Sequence, residues 1–418
     1  MKISAIISLL FLIFFVFVSG AVCQDKPQAT LPTPAQKRSK EADDFLARLK
    51  KQEHLNLLQG TLWTLTHDYD DYKHMKEVFN AFQKYFKAIG EYETGDSSSL
   101  EKMGGIKAFK NKLAEWLNDD DQAVRAFAAT ILGISGDKTY APQLANLLKA
   151  RNYKENDLIV YDRGRAAMML GMIGAKEYLP QIIPLLKSEN EYDRAGAIQA
   201  LEYFGAKEYS DEIASLLTGK KFRLDDDPTP IFFLIEMETA GNYKEELVET
   251  MLGEFRSETE KAAMYALVNL GAKENAGDIA KLLKDEFRKG DAAKALSLLG
   301  AKEYADEIAL LLRDKSGLVR SDAALGLGVL KAKKYAGEVA KLLNDKESYV
   351  HNYAAAALLL MEAEEYYKAA VPIVEKPLSE NAFLTDSSFH PLVAEKTRQV
   401  TENLKKSFEK AKTVSITQ

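Results

Sequence analysis

The pentapeptide Gly-Ala-Lys-Glu-Tyr occupies residues 174–178, 205–209 and 300–304, and Gly-Ala-Lys-Glu-Asn follows the same frame from Gly271. Aligned on this word, the chain shows starting points at Gly105, Gly136, Gly174, Gly205, Gly241, Gly271, Gly300, Lys331 and Glu362, at intervals of 31, 38, 31, 36, 30, 29, 31 and 31 residues. A period near 31 leaves few folds open. Each unit is one supersecondary element, too small to bury its own apolar face, so the units must stack on one another.

The grammar of a unit names its elements. A first helix is rich in small residues, as in RAFAATILGISG and RSDAALGLGVL, and lets neighbouring helices approach closely. The repeated word follows as a joint. Its Gly suits a left-handed residue that ends the helix, and its Glu is expected in the first turn of the next helix. A second helix then carries one apolar stripe, such as Ile308, Leu311 and Leu312, or Val339, Leu342 and Leu343. The Tyr of the joint recurs as Tyr140, Tyr178, Tyr209, Tyr304, Tyr335 and Tyr366. Its expected role is packing between adjacent units with the hydroxyl at the rim; the rival role is a stacking ladder for glycans or peptides.

The unit RDKSGLVRSDAALGLGVLKAKKYAGEVAKLLND (residues 313–345) resembles a HEAT repeat of the short type seen in phycobilisome-lyase-like proteins. Asp119, Val124 and Arg125, then Asp314, Val319 and Arg320, match the family's pattern, and Pro142 and Pro180 match its second-helix proline. The resemblance covers residues 100–375. It implies an all-α, right-handed α-solenoid of about eight to nine HEAT-like helix pairs with helical caps at both ends, formed by residues 41–99 and 376–418. It also implies that second helices line the concave face. The position filled by Arg125, Arg163, Arg194, Pro230, Glu260, Lys289, Arg320 and His351 is implied to link neighbouring units. Fold likeness of this kind does not carry function.

Residues 1–21 read as a signal peptide: Lys2, an apolar run from Ile3 to Val18, and small residues before Ala21. Ile3 to Val22 is also long enough for an uncleaved anchor, and Cys23 leaves lipidation as a third outcome. Residues 22–40 form a proline-bearing, polar linker. Export to a periplasm or cell surface is the expectation, with no membrane insertion after signal cleavage. Cys23 is the only cysteine, which excludes an intrachain disulfide or thiolate zinc site.

The formal net charge of −6, with basic residues spread along the chain, argues against nucleic acid as a partner. His67, Asp71 and His74 are the one metal-like grouping; the competing reading is a helix start at Asp68 to Asp71. The chain has no His-Glu dipeptide, which excludes the ligand set of the di-iron deoxyhypusine hydroxylases, a HEAT-repeat enzyme class. No nucleophile elbow, phosphate loop or dinucleotide fingerprint is present.

The period itself is broken twice, at Ala150 to Asp162 and at Thr218 to Pro230. Both additions follow a second helix and so leave from one edge, where insertions often mark a binding face. Tyr153, Tyr161, Lys220, Lys221, Arg223, Asp225, Asp226 and Asp227 on these loops are candidate partner contacts. So are Glu212, Asp278, Glu307 and Glu338 on the second helices. The functional expectation is an exported, monomeric, non-enzymatic scaffold that holds a protein partner and needs no cofactor. The alternative is a lyase-like protein that handles a small-molecule cofactor or metal.

Overall fold

The computed structural model describes residues 39–51, 54, 57–58, 72–149, 162–217, 258–379 and 394–417, and among them every regular element is helical. The chain divides into two bodies at Leu147.

The first body contains α1 (Lys40–Leu49), α2 (Tyr72–Glu93), α3 (Ser98–Lys102), α4 (Gly105–Trp116), α5 (Gln122–Ser135) and α6 (Ala141–Asn146). Its core is aromatic. Phe82 meets Phe127 edge-on at 4.8 Å, and Tyr85 stacks on Phe109 at 4.6 Å. Lys110 Nζ is buried and held by Glu41 at 2.6 Å and Asp137 at 2.5 Å, tying α1, α4 and the joint after α5 together. Gly136 ends α5 at φ 68° as a joint should. Gly105 does not behave as one: Gly104 and Gly105 both take positive φ, and a 12-residue helix starts at once.

The second body is a stack of layers. Its first helices are α7 (Asp162–Met172), α9 (Glu191–Phe204), α11 (Glu258–Leu270), α13 (Lys289–Leu299), α15 (Gly317–Val329) and α17 (Ser348–Leu360). Each is followed by a short second helix: α8 (Leu179–Ile182), α10 (Ser210–Ala214), α12 (Ala276–Lys281), α14 (Ala305–Leu310), α16 (Ala336–Lys341) and the longer α18 (Tyr367–Ser379). A final helix, α19 (Ala394–Thr417), packs on α17 and α18 through Val400, Leu404, Phe408 and Ala411.

The joint has one geometry throughout. Gly174, Gly205, Gly271 and Gly300 lie at φ between 64° and 76°, and Lys331 and Glu362 take φ 54° and 55° where the alignment put them in place of glycine. The next N–H donates back across the helix end: Ala175 to Leu170 O, Ala206 to Leu201 O, Ala301 to Leu296 O, Ala332 to Leu327 O and Ala363 to Leu358 O, at 2.9–3.1 Å. This is a Schellman closure, with the Leu it reaches packed inside and the Ala buried in every layer named except that of Ala332, which is half-buried. Each such Leu is fully buried, worth about 1.5–3 kcal/mol over exposure. The Lys-Glu-Tyr that follows forms a 3-10 turn, and the second helix opens only at the next residue. The joint Glu therefore sits in that turn rather than in the helix's first turn.

First helices pack mainly on one another, which requires small residues on both sides. A side chain at Gly196 would run into the Gly164 carbonyl, and one at Gly328 would lie 2.6 Å from Ala357 Cα. The arginine series links units as the resemblance implies. Arg194 and Arg320 each donate to two carbonyls of their own preceding loop, Ser188 and Glu189 or Asp314 and Lys315. Each also reaches the next layer, at Thr259 (3.2 Å) and Asp345 (2.8 and 2.6 Å). Where the series changes to Glu260 and Lys289 the link survives with other partners: Arg288 donates to Glu260 at 3.1 Å, and Lys289 meets Asp314 at 2.5 Å.

Two layers that the alignment separates by a unit are in direct contact. Helix α11 packs directly on α9 and α10. Thr259 donates to the Glu191 carbonyl at 3.3 Å, and Lys207 Nζ reaches the Gly271 carbonyl at 3.0 Å. The layers of Gly205 and Gly271 are thus neighbours, and no unit built on Gly241 lies between them. Residues 218–257, which include Gly241, lie outside the described residues.

Candidate functional site

Of the partner contacts expected from sequence, Tyr153, Tyr161, Lys220, Lys221, Arg223, Asp225, Asp226 and Asp227 lie outside the described residues, as does the His67, Asp71 and His74 triple. Among the described residues no group of three or more His, Cys, Asp or Glu is arranged to hold a metal. No described helix is long and apolar enough to cross a membrane.

Glu212, Asp278, Glu307 and Glu338 occupy one register position, seven residues after the joint residue of their layers. With the layers of Gly205 and Gly271 adjacent, they form a row over four consecutive layers. The row is partly neutralised. Asp278 accepts from Lys281 at 2.7 Å, and Glu338 is paired with Arg313 at 3.0 Å and Lys341 at 3.3 Å, which hold its carboxyl below the usual range. Glu212 and Glu307 are exposed.

The joint tyrosines serve the stack. The hydroxyls of Tyr304 and Tyr366 lie over Gly277 and Gly337 of the preceding layer, and that of Tyr335 donates to Asp306 at 2.5 Å. Asn275 takes the same place in its layer, with Nδ2 donating to Asp211 at 2.8 Å.

The shielded polar groups belong to the first helices. Counted back from the joint residue, positions two, six, nine and thirteen share one helix face, being three or four residues apart. Asn269, at position two, donates through Nδ2 to Glu202 Oε1, at position three of its own layer, at 2.9 Å across α11 and α9. Glu202 Oε2 is buried without a partner, and burial pushes this carboxyl up to about 7. Three layers supply a second group. Lys294 Nζ stands 3.1 Å from Asp291 Oδ1 and 3.5 Å from Asp322 Oδ2, while the Tyr265 hydroxyl donates to Asp291 at 3.4 Å.

One ammonium thus serves two carboxylates, and it serves Asp291 first. Burial opposes every charge here, yet Lys294 holds Asp291 low, and the two carboxylates hold Lys294 high. Asp322 is left with the longer contact, and burial pushes it up to about 6. Asp291 and Asp322 still keep 25% and 20% of their side-chain surface accessible, so the group is open to a ligand. Chemically it offers hydrogen-bond acceptors in a setting drier than water, where a donor from outside binds more strongly.

The sequence reading passed over these residues because it took the first helices as packing elements only. Their signal was nonetheless present. Asp291 and Asp322 each precede Ala-Ala, at the same distance before consecutive joints.

No known family model and no curated protein matches the chain. Among solved structures it is similar to the CpcE–CpcF complex of phycocyanin lyase from Nostoc sp., at 19% identity over 71% of this chain and 94% of that one, with a TM-score of 0.38. It is similar to YibA of Escherichia coli at 18% identity, over 73% and 97% of the two chains, with a TM-score of 0.40. Human deoxyhypusine hydroxylase gives 20% identity over 75% and 99%, with a TM-score of 0.24. The chain is an all-α, HEAT-like repeat protein on the evidence of its own layers, and these likenesses carry no activity to it.

Proposed function

We propose that the protein is an exported, non-enzymatic scaffold of short, lyase-type HEAT-like repeats that holds a protein partner on the accessible face of its first helices. One observation carries this reading. Among the described residues the exposed large apolar side chains are Tyr203, Leu310, Leu318 and Tyr349, and all but Leu310 stand on that one register face. Leu318 and Tyr349, at 54% and 37% exposure, hold equivalent places in consecutive layers, and the Tyr349 hydroxyl rests against Gly317 beside Leu318. Exposed aromatic and leucine side chains beside recessed polar groups are the anatomy of a binding surface. The apolar leader supports export, and the edge loops at 150–162 and 218–230 extend the same role.

Crosslinking in the native envelope tests the reading. Wild type is compared with a Leu318→Ser, Tyr349→Ser double variant and with a deletion of residues 220–227, each checked for an unchanged melting curve. A defined crosslinked partner that weakens in the double variant supports the first-helix face. Equal capture by wild type and double variant sinks it.

A further inference from the structure

The surroundings of Leu318 and Tyr349 define the chemistry of what sits there. Leu318 and Asp322 are one helical turn apart on α15, on the same face. Tyr349 crosses from α17 onto the start of α15, where Glu347 also lies against Gly317; burial raises its hydroxyl, and Glu347, Asp345, Asp322 and Arg320 bear on it electrostatically. Four of the five N–H donors of Arg320 go to two carbonyls and bidentately to Asp345. Lys294 is shared between Asp291 and Asp322. Glu347, 43% exposed, has Lys346 at 4.0 Å and feels the charge of Arg320, which is itself bound to Asp345. The nearby cations Lys289 and Lys315 are paired with Asp314 and Glu286, each at 2.5 Å. What remains is two under-neutralised carboxylates flanking an exposed phenol ring and an exposed leucine.

We infer that Asp322, Glu347, Tyr349 and Leu318 form a receptor for an arginine side chain presented by a protein partner. A guanidinium stacks on an aromatic face and forks onto carboxylates, while its methylene stem packs on apolar surface. A lysine supplies one point charge and no plane, so it fits less well. Gly290 and Gly317 seat the receptor's own groups: a side chain at Gly290 would lie 2.7 Å from Asp322 Oδ2, and one at Gly317 would strike the Tyr349 hydroxyl. This inference rests on the first-helix face being the binding surface.

The test uses the folded chain and a random peptide library as probe, followed by the best binders resynthesised with citrulline in place of arginine. Arginine enriched among binders, a loss of about tenfold or more on citrulline replacement, and a similar loss in Asp322→Asn support the receptor. Should Asp322→Asn destabilise the stack through Lys294, the exposed Glu347→Gln reports instead, with an expected loss of about threefold. Glu303→Gln, at an exposed residue of a joint turn, should bind as wild type does. Binders without arginine, binders indifferent to citrulline, or no binder at all overturn the inference. If the Leu318 and Tyr349 variant loses the native partner while Asp322→Asn and Glu347→Gln keep it, the binding face stands and the arginine receptor falls. If the double variant keeps the partner, the face itself is wrong.

Discussion

Asn275 Nδ2 donates to Asp211 Oδ1 at 2.8 Å, although residues 218–257 lie between them in sequence. Every other joint contact of this type joins consecutive layers, as Tyr335 does with Asp306. The layers on either side of residues 218–257 therefore touch directly. In an uninterrupted layer the stretch equivalent to the one between Leu217 and Glu258 is Arg313–Gly317. Replacing residues 218–257 with Arg-Asp-Lys-Ser-Gly should leave the helical content per residue and the melting temperature close to wild type, within about 4 °C. Circular dichroism melts check this. A collapse of the melt would mean that the segment is a layer of the stack after all.

Lys331 and Glu362 hold left-handed conformations at positions where the other layers use glycine. A side chain there costs about 1–2 kcal/mol of local strain, partly offset because glycine loses more entropy on folding. Lys331→Gly should stabilise the protein by about 0.5–1 kcal/mol in a urea titration. The exposed pair Lys331–Glu362, 3.3 Å apart, takes little back. Conversely, Gly205→Ala meets no atom within 4 Å yet should cost about 1 kcal/mol, because the penalty is conformational. A stabilised Gly205→Ala would contradict the role of the joint.

How much of this was legible follows from which residues speak locally. The joint was, because a left-handed residue, a buried Ala and a Tyr form a local pattern that survives even when Lys331 or Glu362 replaces the glycine. The arginine clips were legible through a family resemblance. The contact between the Gly205 and Gly271 layers was not: GNYKE at Gly241 has the repeat's spacing, and contacts such as those of Thr259 with Glu191 and Arg194 show that the flanking layers touch. The shielded polar group was hidden for a related reason. Tyr265, Asp291, Lys294 and Asp322 come from three layers, and their meeting depends on stacking rather than on any local word.

Close approach of α7 and α9 rests on Gly164 and Gly196, where a Cβ on either would run into the other helix's backbone. Gly196→Ala must push two helices apart, since the obstacle is a carbonyl rather than a flexible side chain. The expected cost is about 3 kcal/mol or more, well above that of Gly205→Ala, although alanine is the better helix former. Equal urea midpoints for the two variants would show that the layers tolerate separation.

Glu202 gives the stack a pH dependence whose sign is fixed. Burial raises its carboxyl from 4.5 to about 7, so between those values the folded chain holds a proton that the unfolded chain releases. Stability from this group is full below pH 4.5, falls as pH rises towards 7, and levels off above it, by on the order of 1–3 kcal/mol in all. Asp322 adds a smaller fall of the same sign between 3.8 and about 6. Glu202→Gln keeps an oxygen for the Asn269 amide and removes the charge. The variant should therefore gain on wild type as pH rises, with little difference at pH 4.5 and the full gain at pH 8. Urea midpoints of both proteins across that range measure it. A gain that does not change with pH would show that Glu202 is not the group that titrates.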